Sequence, residues 1–564
     1  MFLKIFKLLN KTEKKKFFSL QIYFIFLALI EVFGIISIIP LVFVISAENT
    51  NQIYSNYPIL KDYVNFSDIR QFQLFFSISF LILFIFYNLI NFLCFYKFET
   101  LVEKIHSSKF AQLFKFYLNQ EYIEMSKKHS ADITNNLTYN LQLVIEKIYR
   151  LTFKANTKFY SLIFIGLSIF FFDFKNALIL TFLLMIIFFF GFYLIKKKIF
   201  NLGKLASDSN KSILKNIKET FQNFKFISIS DKKKNYIDSY INSKINPFTN
   251  SNKKIEVYTF FSRILIESLG FLIIISLILT LIINNTLQAF LSIISFYLFA
   301  FYRLFPAMQQ LFYSVSQLKS WFYLFDKISN EIEKYNSKIK NENLENKKNK
   351  INFKDNLELK NISFNHGDKN ILKNINLKIK KGTFFYLDGD TGKGKSTICD
   401  IISGVISPTS GSLLIDNNDT KNLQPNNWSS QIGYVTQEIF FTEDTILNNL
   451  IYGDNNFKIE EVLNICENVY LNEFLPELDK NIDKYVLKEG GSNFSGGQLQ
   501  RIAIARSLIN KPELLILDES TNAMDEKLEE KLILSLKKNF KDLTVIIVSH
   551  RKSLKKLCDD YYEL

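Results

Sequence analysis

Cysteine is scarce in this 564-residue chain. The four that occur, Cys94, Cys399, Cys466 and Cys558, are scattered and form no C-x-x-C pair. Such spacing implies neither a disulfide framework nor a zinc site. No internal repeat is visible. Mean hydropathy is only +0.08, although 48% of residues are hydrophobic and 59 are Phe. That low average hides very apolar stretches set beside very polar ones. Net charge is +15, from 69 Lys+Arg against 54 Asp+Glu. Such a balance suits nucleic acid, or equally an anionic lipid surface with cations held on one side of a membrane. By length alone the chain accommodates three or four ordinary domains.

The first half reads as a membrane domain, residues 1–326. Six apolar runs, at about 17–45, 72–96, 156–172, 177–195, 264–283 and 287–313, are long enough to be spans. The first run is too long for a cleaved signal peptide. Residues 1–16 interleave six lysines with Phe2, Leu3, Ile5, Phe6, Leu8 and Leu9, which suggests a short interfacial helix. Between the runs, cations are unevenly placed. Ser46–Gln71 holds only Lys61 and Arg70, and the turns at 173–176 and 284–286 are short. The other loops are long and lysine-rich, about sixty residues each. This bias places the N-terminus and everything after the sixth span in the cytoplasm. Loops of that length imply helices that continue well past the bilayer before reversing. The alternative, buried helices of a soluble protein, does not account for the charge bias.

Residues 327–356 are rich in Lys, Asn and Glu, and between Asn341 and Lys350 the only apolar side chain is Leu344. This predicts a solvated linker. A second domain follows at 357–564. Its organising stretch is Gly389-Asp390-Thr391-Gly392-Lys393-Gly394-Lys395-Ser396-Thr397, a G-x-x-x-x-G-K-[ST] loop. An apolar strand-like run, Phe384–Leu387, precedes it and a helix-like run, Ile398–Ile402, follows. In that context successive backbone N–H groups cradle phosphate. Lys395 reaches the β- and γ-phosphates, and the Ser396 hydroxyl ligates Mg²⁺. Taken alone, the loop is equally a Gly/Lys-rich turn. Further on, Leu514–Leu517 is an apolar strand that delivers Asp518 to the Mg²⁺ shell. Glu519 is placed to orient or deprotonate the attacking water. Phe494-Ser495-Gly496-Gly497-Gln498 opens a helical run as a second anion site. Gln437 and His550 each follow an apolar strand.

The order of phosphate loop, Gln437, FSGGQ, LLILDE and His550 resembles the ATPase domain of ABC transporters. Asn522–Asp525 resembles that family's D-loop, and Lys488-Glu489-Gly490 its exporter X-loop region. The resemblance extends to the whole chain. It implies an α-helical transmembrane domain of six long helices, of the domain-swapped exporter type, followed by an α/β P-loop ATPase domain. It also implies a homodimer, with each ATP between one phosphate loop and the partner's Phe494–Gln498. Further implications are ATP and Mg²⁺ as cofactors, Gln437 as a metal contact, and Gln437 and His550 beside Glu519 in catalysis. Two positions depart from the family pattern. His366 stands where an aromatic ring usually meets adenine; it is either a smaller stacking ring or a plain surface histidine. Thr436 replaces a common proline, and nothing physical explains it.

Cargo is less sharply written. Charges in or beside the spans are Glu31, Arg263, Glu267 and Arg303, and a mid-membrane charge usually faces a cavity or partner. Arg263 and Glu267, at i and i+4, can pair on one helix face. Arg303 can snorkel to the interface. Alternatively, Arg263 and Arg303 line a cavity for an anionic group. Glu31–Ile35, Ile39-Pro40 and Phe301–Pro306 resemble bacterial flippases of lipid-linked oligosaccharides, and Ile53–Phe66 stands where those carry a short external helix. The resemblance implies flipping of such a lipid across the bacterial inner membrane for protein glycosylation. The alternative is export of another lipid, a peptide or a drug. A soluble ABC ATPase acting on nucleic acid does not fit six apolar runs, so no nucleic-acid partner is expected.

Overall fold

A proline sets the second break in the helical half. In the computed structural model, α1 (Phe2–Lys7) and α2 (Lys11–Ile36) are followed by α3 (Ile38–Ser46). Pro40 has no N–H to bond the Ile36 carbonyl, and α2 stops at that residue. The structure describes residues 2–47, 50–56, 58, 68–128, 130–172, 174–229, 233–284, 287–342, 353–366, 369–390, 392–420, 428–452 and 457–564. Side-chain packing over most of 175–196 and 262–293 is outside that description, as are parts of both short external turns. The chain divides into two compact units, Met1–Gln120 with Met125–Leu344, and Glu345–Leu564 with Glu121–Glu124.

Among the described residues, unit one is helices joined by short turns. After α4 (Thr50–Asn56) come α5 (Ile69–Leu118), α6 (Leu151–Phe172), α7 (Phe174–Gln222), α8 (Asn246–Asn284) and α9 (Leu287–Glu342). The 50 residues of α5 make a rod about 75 Å long, against a hydrocarbon core of about 30 Å. Among the described residues, two stretches, Lys11–Ser46 and Ile69–Leu118, are by themselves long and apolar enough to cross a membrane. Leu74, Ile78, Leu81, Ile82 and Leu89 of α5 stand exposed, an apolar face that water does not tolerate at this size.

Two expectations need correction. Residues 327–342 are not linker but the last turns of α9. Ile328, Ile332 and Tyr335 recur at helical spacing and are buried against Leu141, Ile148 and Tyr149. The stretch 343–352 is outside the described residues. The N-terminal helix α1 turns apolar side chains inward: Ile5, with Leu9 just beyond it, packs against Leu20, Phe24 and Phe98. A helix at Thr50–Asn56 overlaps the start of the expected Ile53–Phe66 stretch, and Ile53 is fully buried against Val44, Ala47 and Phe72. Residues 59–67 are outside the described set.

Unit two holds two sheets. β1 (Asn356–His366) and β2 (Lys369–Lys380) form an antiparallel sheet with β4 (Ser410–Ile415) and β5 (Asn418–Asp419), in the order β2-β1-β4-β5. Phe353, ahead of β1, is already buried in this unit's core, so the packed domain begins before residue 357. The other sheet is parallel, in the order β6-β7-β8-β3-β9. It comprises β3 (Phe384–Asp388), β6 (Ile432–Val435), β7 (Leu514–Asp518), β8 (Thr544–Val548) and β9 (Asp560–Glu563). Its central strands read as unbroken apolar runs because both faces are covered. Phe384, Leu515, Leu517, Val545 and Ile547 enter one core, and Phe385, Leu514, Ile516 and Ile546 the other. Helices α10 (Lys395–Ile402), α11 (Gly496–Leu508) and α12 (Glu526–Asn539) complete the unit.

Candidate active site

Parallel register gathers the chemistry. Val435 of β6 pairs with Leu517 of β7, and Asp518 of β7 with Val548 of β8. Each chain then leaves the sheet at the same edge, so Gln437, Glu519 and His550 emerge side by side. Ligands of open α/β sheets bind at this carboxyl edge. Glu519 Oε2 accepts from Gln437 Nε2 at 3.1 Å, and Glu519 Oε1 lies 3.2 Å from His550 Nε2. Glu519 itself has φ +49°, a left-handed conformation that costs a non-glycine residue of order 1 kcal/mol. Its N–H is held by the Val548 carbonyl at 3.0 Å. The strained turn sends the carboxylate out of the strand and toward Gln437 and His550.

The phosphate loop runs from β3 into α10. Gly389 and Gly394 have φ +143° and +96°, and a Cβ at Gly394 would lie 2.7 Å from Leu372 Cδ2. Only glycine fits there. Lys395 is buried, and its Nζ donates to the carbonyls of Gly389 and Asp390. Ser396 and Thr397 form the first turn of α10, with Gly392 and Lys393 in the preceding turn; Thr391 is outside the described residues. Lys393 Nζ bonds the Leu564 carbonyl at 3.0 Å and Asp390 Oδ2 at 3.3 Å.

Asp518 ends β7, 4% exposed. Burial pushes its carboxyl above the usual carboxylate range, against the opposing pull of the Ser396 hydroxyl. Its Oδ1 is buried with no hydrogen-bond partner. An orphaned carboxylate oxygen near a serine hydroxyl fits Mg²⁺, a hard cation that takes one or two carboxylates plus substrate phosphates and water. Among the described residues no group of three His, Cys, Asp or Glu side chains could hold a metal alone. Gln437, expected as a metal contact, donates from its amide nitrogen to Glu519.

Motif reading missed one neighbour of this carboxylate. Tyr434, on β6, donates from its hydroxyl to Asp400 Oδ1 at 3.0 Å and reaches Asp518 Oδ2 at 3.4 Å. Burial raises the Asp400 carboxyl and the Tyr434 phenol. The one sequence signal was a polar-tipped ring alternating with Gly433 and Val435. Arg551, also missed, binds Glu529 Oε2 at 2.6 Å and the carbonyls of Asn522 and Met524.

The Phe494–Gln498 segment caps a 13-residue helix. Ser495 N bonds Gln498 Oε1 at 2.8 Å, and Gln498 N returns to Ser495 Oγ at 3.3 Å. This reciprocal pair leaves the remaining first-turn amides of α11 free for an anion. Gly496 and Gly497 lie against Ala523; a Cβ at Gly497 would be 3.0 Å from the Ala523 carbonyl oxygen. His366 ends β1, exposed and opposite Lys369, two residues before the Ile371 methyl that flanks Gly394.

In unit one, Arg303 does not snorkel. Its guanidinium lies 3.4 Å from Glu31 Oε1 and 5.0 Å over the Tyr87 ring. Glu31 also accepts from Ser161 Oγ at 2.7 Å, so four helices meet there. The Arg263 side chain is outside the described residues, while Glu267 accepts from Gln309 Nε2 at 2.6 Å. A separate cavity of about 790 Å³ opens between α8 and α9, with Glu256, Glu267, Phe301, Phe305, Gln309 and Gln310 in its lining.

Residues 372–522 match the family model described as ABC transporter. Over 179 residues the chain is 37% identical to ABC transporter B family member 1 of Dictyostelium discoideum, covering 32% of this chain and 20% of that protein. Over 479 residues it is 28% identical to a putative export ATP-binding/permease protein of Rickettsia typhi, covering 81% of this chain and 78% of that one. The match therefore spans a fifth of the first relative and most of the second. The solved structure of a bacterial Atm1-family ABC exporter with ATP bound aligns with a TM-score of 0.79 at 17% identity, over 97% of this chain and 93% of that one. That likeness shows the fold: a helical transmembrane domain followed by an ABC ATPase domain.

Proposed function

From an ABC transporter ATPase set behind an exporter-type helical domain, we propose that two copies of this chain form an ATP-driven exporter of an amphipathic cargo. The observation that carries this reading is the meeting of Gln437, Glu519 and His550 at one sheet edge, beside the orphaned Asp518 oxygen. ATP lies on the loop 389–397 of one protomer and under Phe494–Gln498 of the other, with His366 beside the base. Lys395 leaves its loop carbonyls for the phosphates. Asp518 and Ser396 hold Mg²⁺, which neutralises charge on the phosphates when bound. Glu519 accepts the proton of the attacking water, and His550 and Gln437 fix the carboxylate's direction. The protein sits in a bacterial inner membrane, with the ATPase units in the cytoplasm.

Two cargo readings stand. A lipid-linked oligosaccharide, flipped for protein glycosylation, is supported by the sequence resemblance of the membrane half. Its diphosphate would compete with Glu31 for Arg303. Another lipid, peptide or drug is favoured by the larger cavity, which has no Lys, Arg or His among its described lining. Purified protein in proteoliposomes, given ATP and a lipid-linked oligosaccharide, tests the first. ATP-dependent protection of the glycan from an external glycosidase supports it. Hydrolysis without any flipping favours the second.

A further inference from the structure

We propose that a cavity beneath α1 holds one acyl chain of an anionic glycerophospholipid from the cytoplasmic leaflet, with the lipid phosphate on Lys14. The inference rests on the membrane reading of unit one and is independent of the cargo.

The cavity has a volume of about 260 Å³, with Ile5, Phe6, Leu9, Phe17 of α2 and Phe153 of α6 in its lining. Its rings meet edge to edge: Phe6 and Phe17 have centroids 5.6 Å apart, and Phe17 and Phe153 5.2 Å. Whole small ligands take about 300–1,000 Å³. This space therefore suits part of a larger molecule whose remainder lies outside. One chain of a bilayer lipid meets that condition.

Two polar groups in the lining are left over. Tyr149 is 2% exposed, and its hydroxyl makes no hydrogen bond among the described residues. The Asn156 amide on α6 makes none either. A buried donor without an acceptor is costly. Bare hydrocarbon supplies no acceptor, whereas the ester and phosphate oxygens of a glycerophospholipid do.

Charge selects the headgroup. The single acid of residues 1–16, Glu13, is turned to Lys109 at 3.6 Å, and Lys4 is held by Asp326 at 2.8 Å. Lys14 has no carboxylate partner among the described residues. Its Nζ stands 5.3 Å over the Phe6 ring, which lines the cavity. Lys7, Lys11, Lys15 and Lys16 stand exposed on the same segment. Such a cluster attracts the negative lipids of the cytoplasmic leaflet.

Depth agrees with this. The dense exposed apolar run of α5 ends at Tyr96, and Lys97 follows it, bonding the Tyr23 hydroxyl at 2.7 Å. Phe17 lies six residues before Tyr23, about 9 Å along α2 toward the cytoplasm. That distance carries the cavity from the edge of the hydrocarbon into the headgroup layer.

The test uses the full chain in detergent micelles, titrated with phosphatidylglycerol or phosphatidylcholine of identical acyl chains. Native mass spectrometry counts the lipid bound per protomer. One saturable phosphatidylglycerol per protomer is expected, bound about fivefold or more tighter than phosphatidylcholine. Lys14→Gln should cut phosphatidylglycerol affinity about fivefold, the weight of one lysine beside an anionic headgroup, and leave phosphatidylcholine unmoved. Lys15→Gln, at an exposed position one residue on, should change either affinity by less than about twofold. Tyr149→Phe should weaken both lipids alike, about fivefold, as loss of one hydrogen bond implies. Asn156→Phe fills the cavity and should abolish the saturable site. Equal affinity for the two lipids, equal losses in Lys14→Gln and Lys15→Gln, or a saturable site that survives Asn156→Phe would overturn the proposal. If Asn156→Phe fails to fold, the two surface lysine variants decide. ATP hydrolysis is no part of the readout, so failure of the exporter reading would leave the binding result standing.

Discussion

Glu519 combines three features that fit a water-activating base. It follows the buried strand β7, it holds left-handed backbone at φ +49°, and its two oxygens face Gln437 and His550. Glu519→Gln keeps the shape and most of the binding contacts. ATP affinity should remain near wild type, while turnover should fall by about 10²–10⁴, the usual contribution of a general base. Single-turnover ATPase assays beside nucleotide-binding titrations check this; near-normal turnover would remove Glu519 from the role. Tyr434 makes a second case. Its hydroxyl stands between two buried carboxylates, Asp400 and Asp518. Tyr434→Phe removes the hydroxyl that the two carboxylates share. The Mg²⁺ concentration needed for half-maximal ATP binding should shift about tenfold or more, as expected for one lost hydrogen bond to a charged group. Fluorescent-nucleotide titration across Mg²⁺ concentrations reads this without turnover; an unmoved midpoint counts against the role. The motif residues were legible because their chemistry fixes type and order. Tyr434 was not, because its role depends on which strand lies beside β6.

Elements show where local signals are overridden. The polar composition of 327–342 spoke for linker, yet Ile328, Ile332 and Tyr335 suffice to carry α9 to Glu342. Three buried side chains at the right spacing outweigh the exposed Asn330, Glu333, Lys334, Asn336 and Ser337 between and beyond them. At the start of the ATPase unit, Asp416 clamps the chain: its carboxylate accepts from the N–H groups of Lys354, Asp355 and Asn356 at 2.6–2.9 Å. Burial pushes its pKa up, but the Asn356, Lys354 and Asp355 amides outweigh that and hold it below the usual value. A lowered folded-state pKa means stability present above the unfolded value of about 4 and lost as pH falls through the folded one. Asp416→Asn should cost about 1–2 kcal/mol at pH 7, allowing for partial exposure. Thermal unfolding of the detergent-purified full chain should show that gap narrow below about pH 4. A gap independent of pH would mean the carboxylate charge is not what holds β1.

At the scale of the whole molecule, the helical half and the α/β half were separable by composition alone, since long apolar runs and a phosphate loop obey different periodicities. The assembly is written less directly. Ser495 and Gln498 cap their own helix, and the amides left free at its start need an anion. The proposed head-to-tail homodimer would supply one from the partner's ATP, with each site drawing residues from both protomers. That arrangement makes a quantitative demand. Lys395→Ala disables the phosphate loop, and Ser495→Arg blocks the capping segment with bulk and charge. Each homodimer of either variant has two broken sites. In the mixed dimer both defects fall in one site and the other is intact. Random pairing makes half the dimers mixed, so an equal mixture should recover roughly a quarter of wild-type hydrolysis if the sites act independently, and less if they are coupled. Co-expression of differently tagged variants, two-step purification of the mixed dimer and an ATPase assay check it, with roughly half of wild-type hydrolysis expected for the purified mixed dimer if the sites are independent. Activity no higher than either variant alone would mean that the sites are not shared, and that each protomer completes its own.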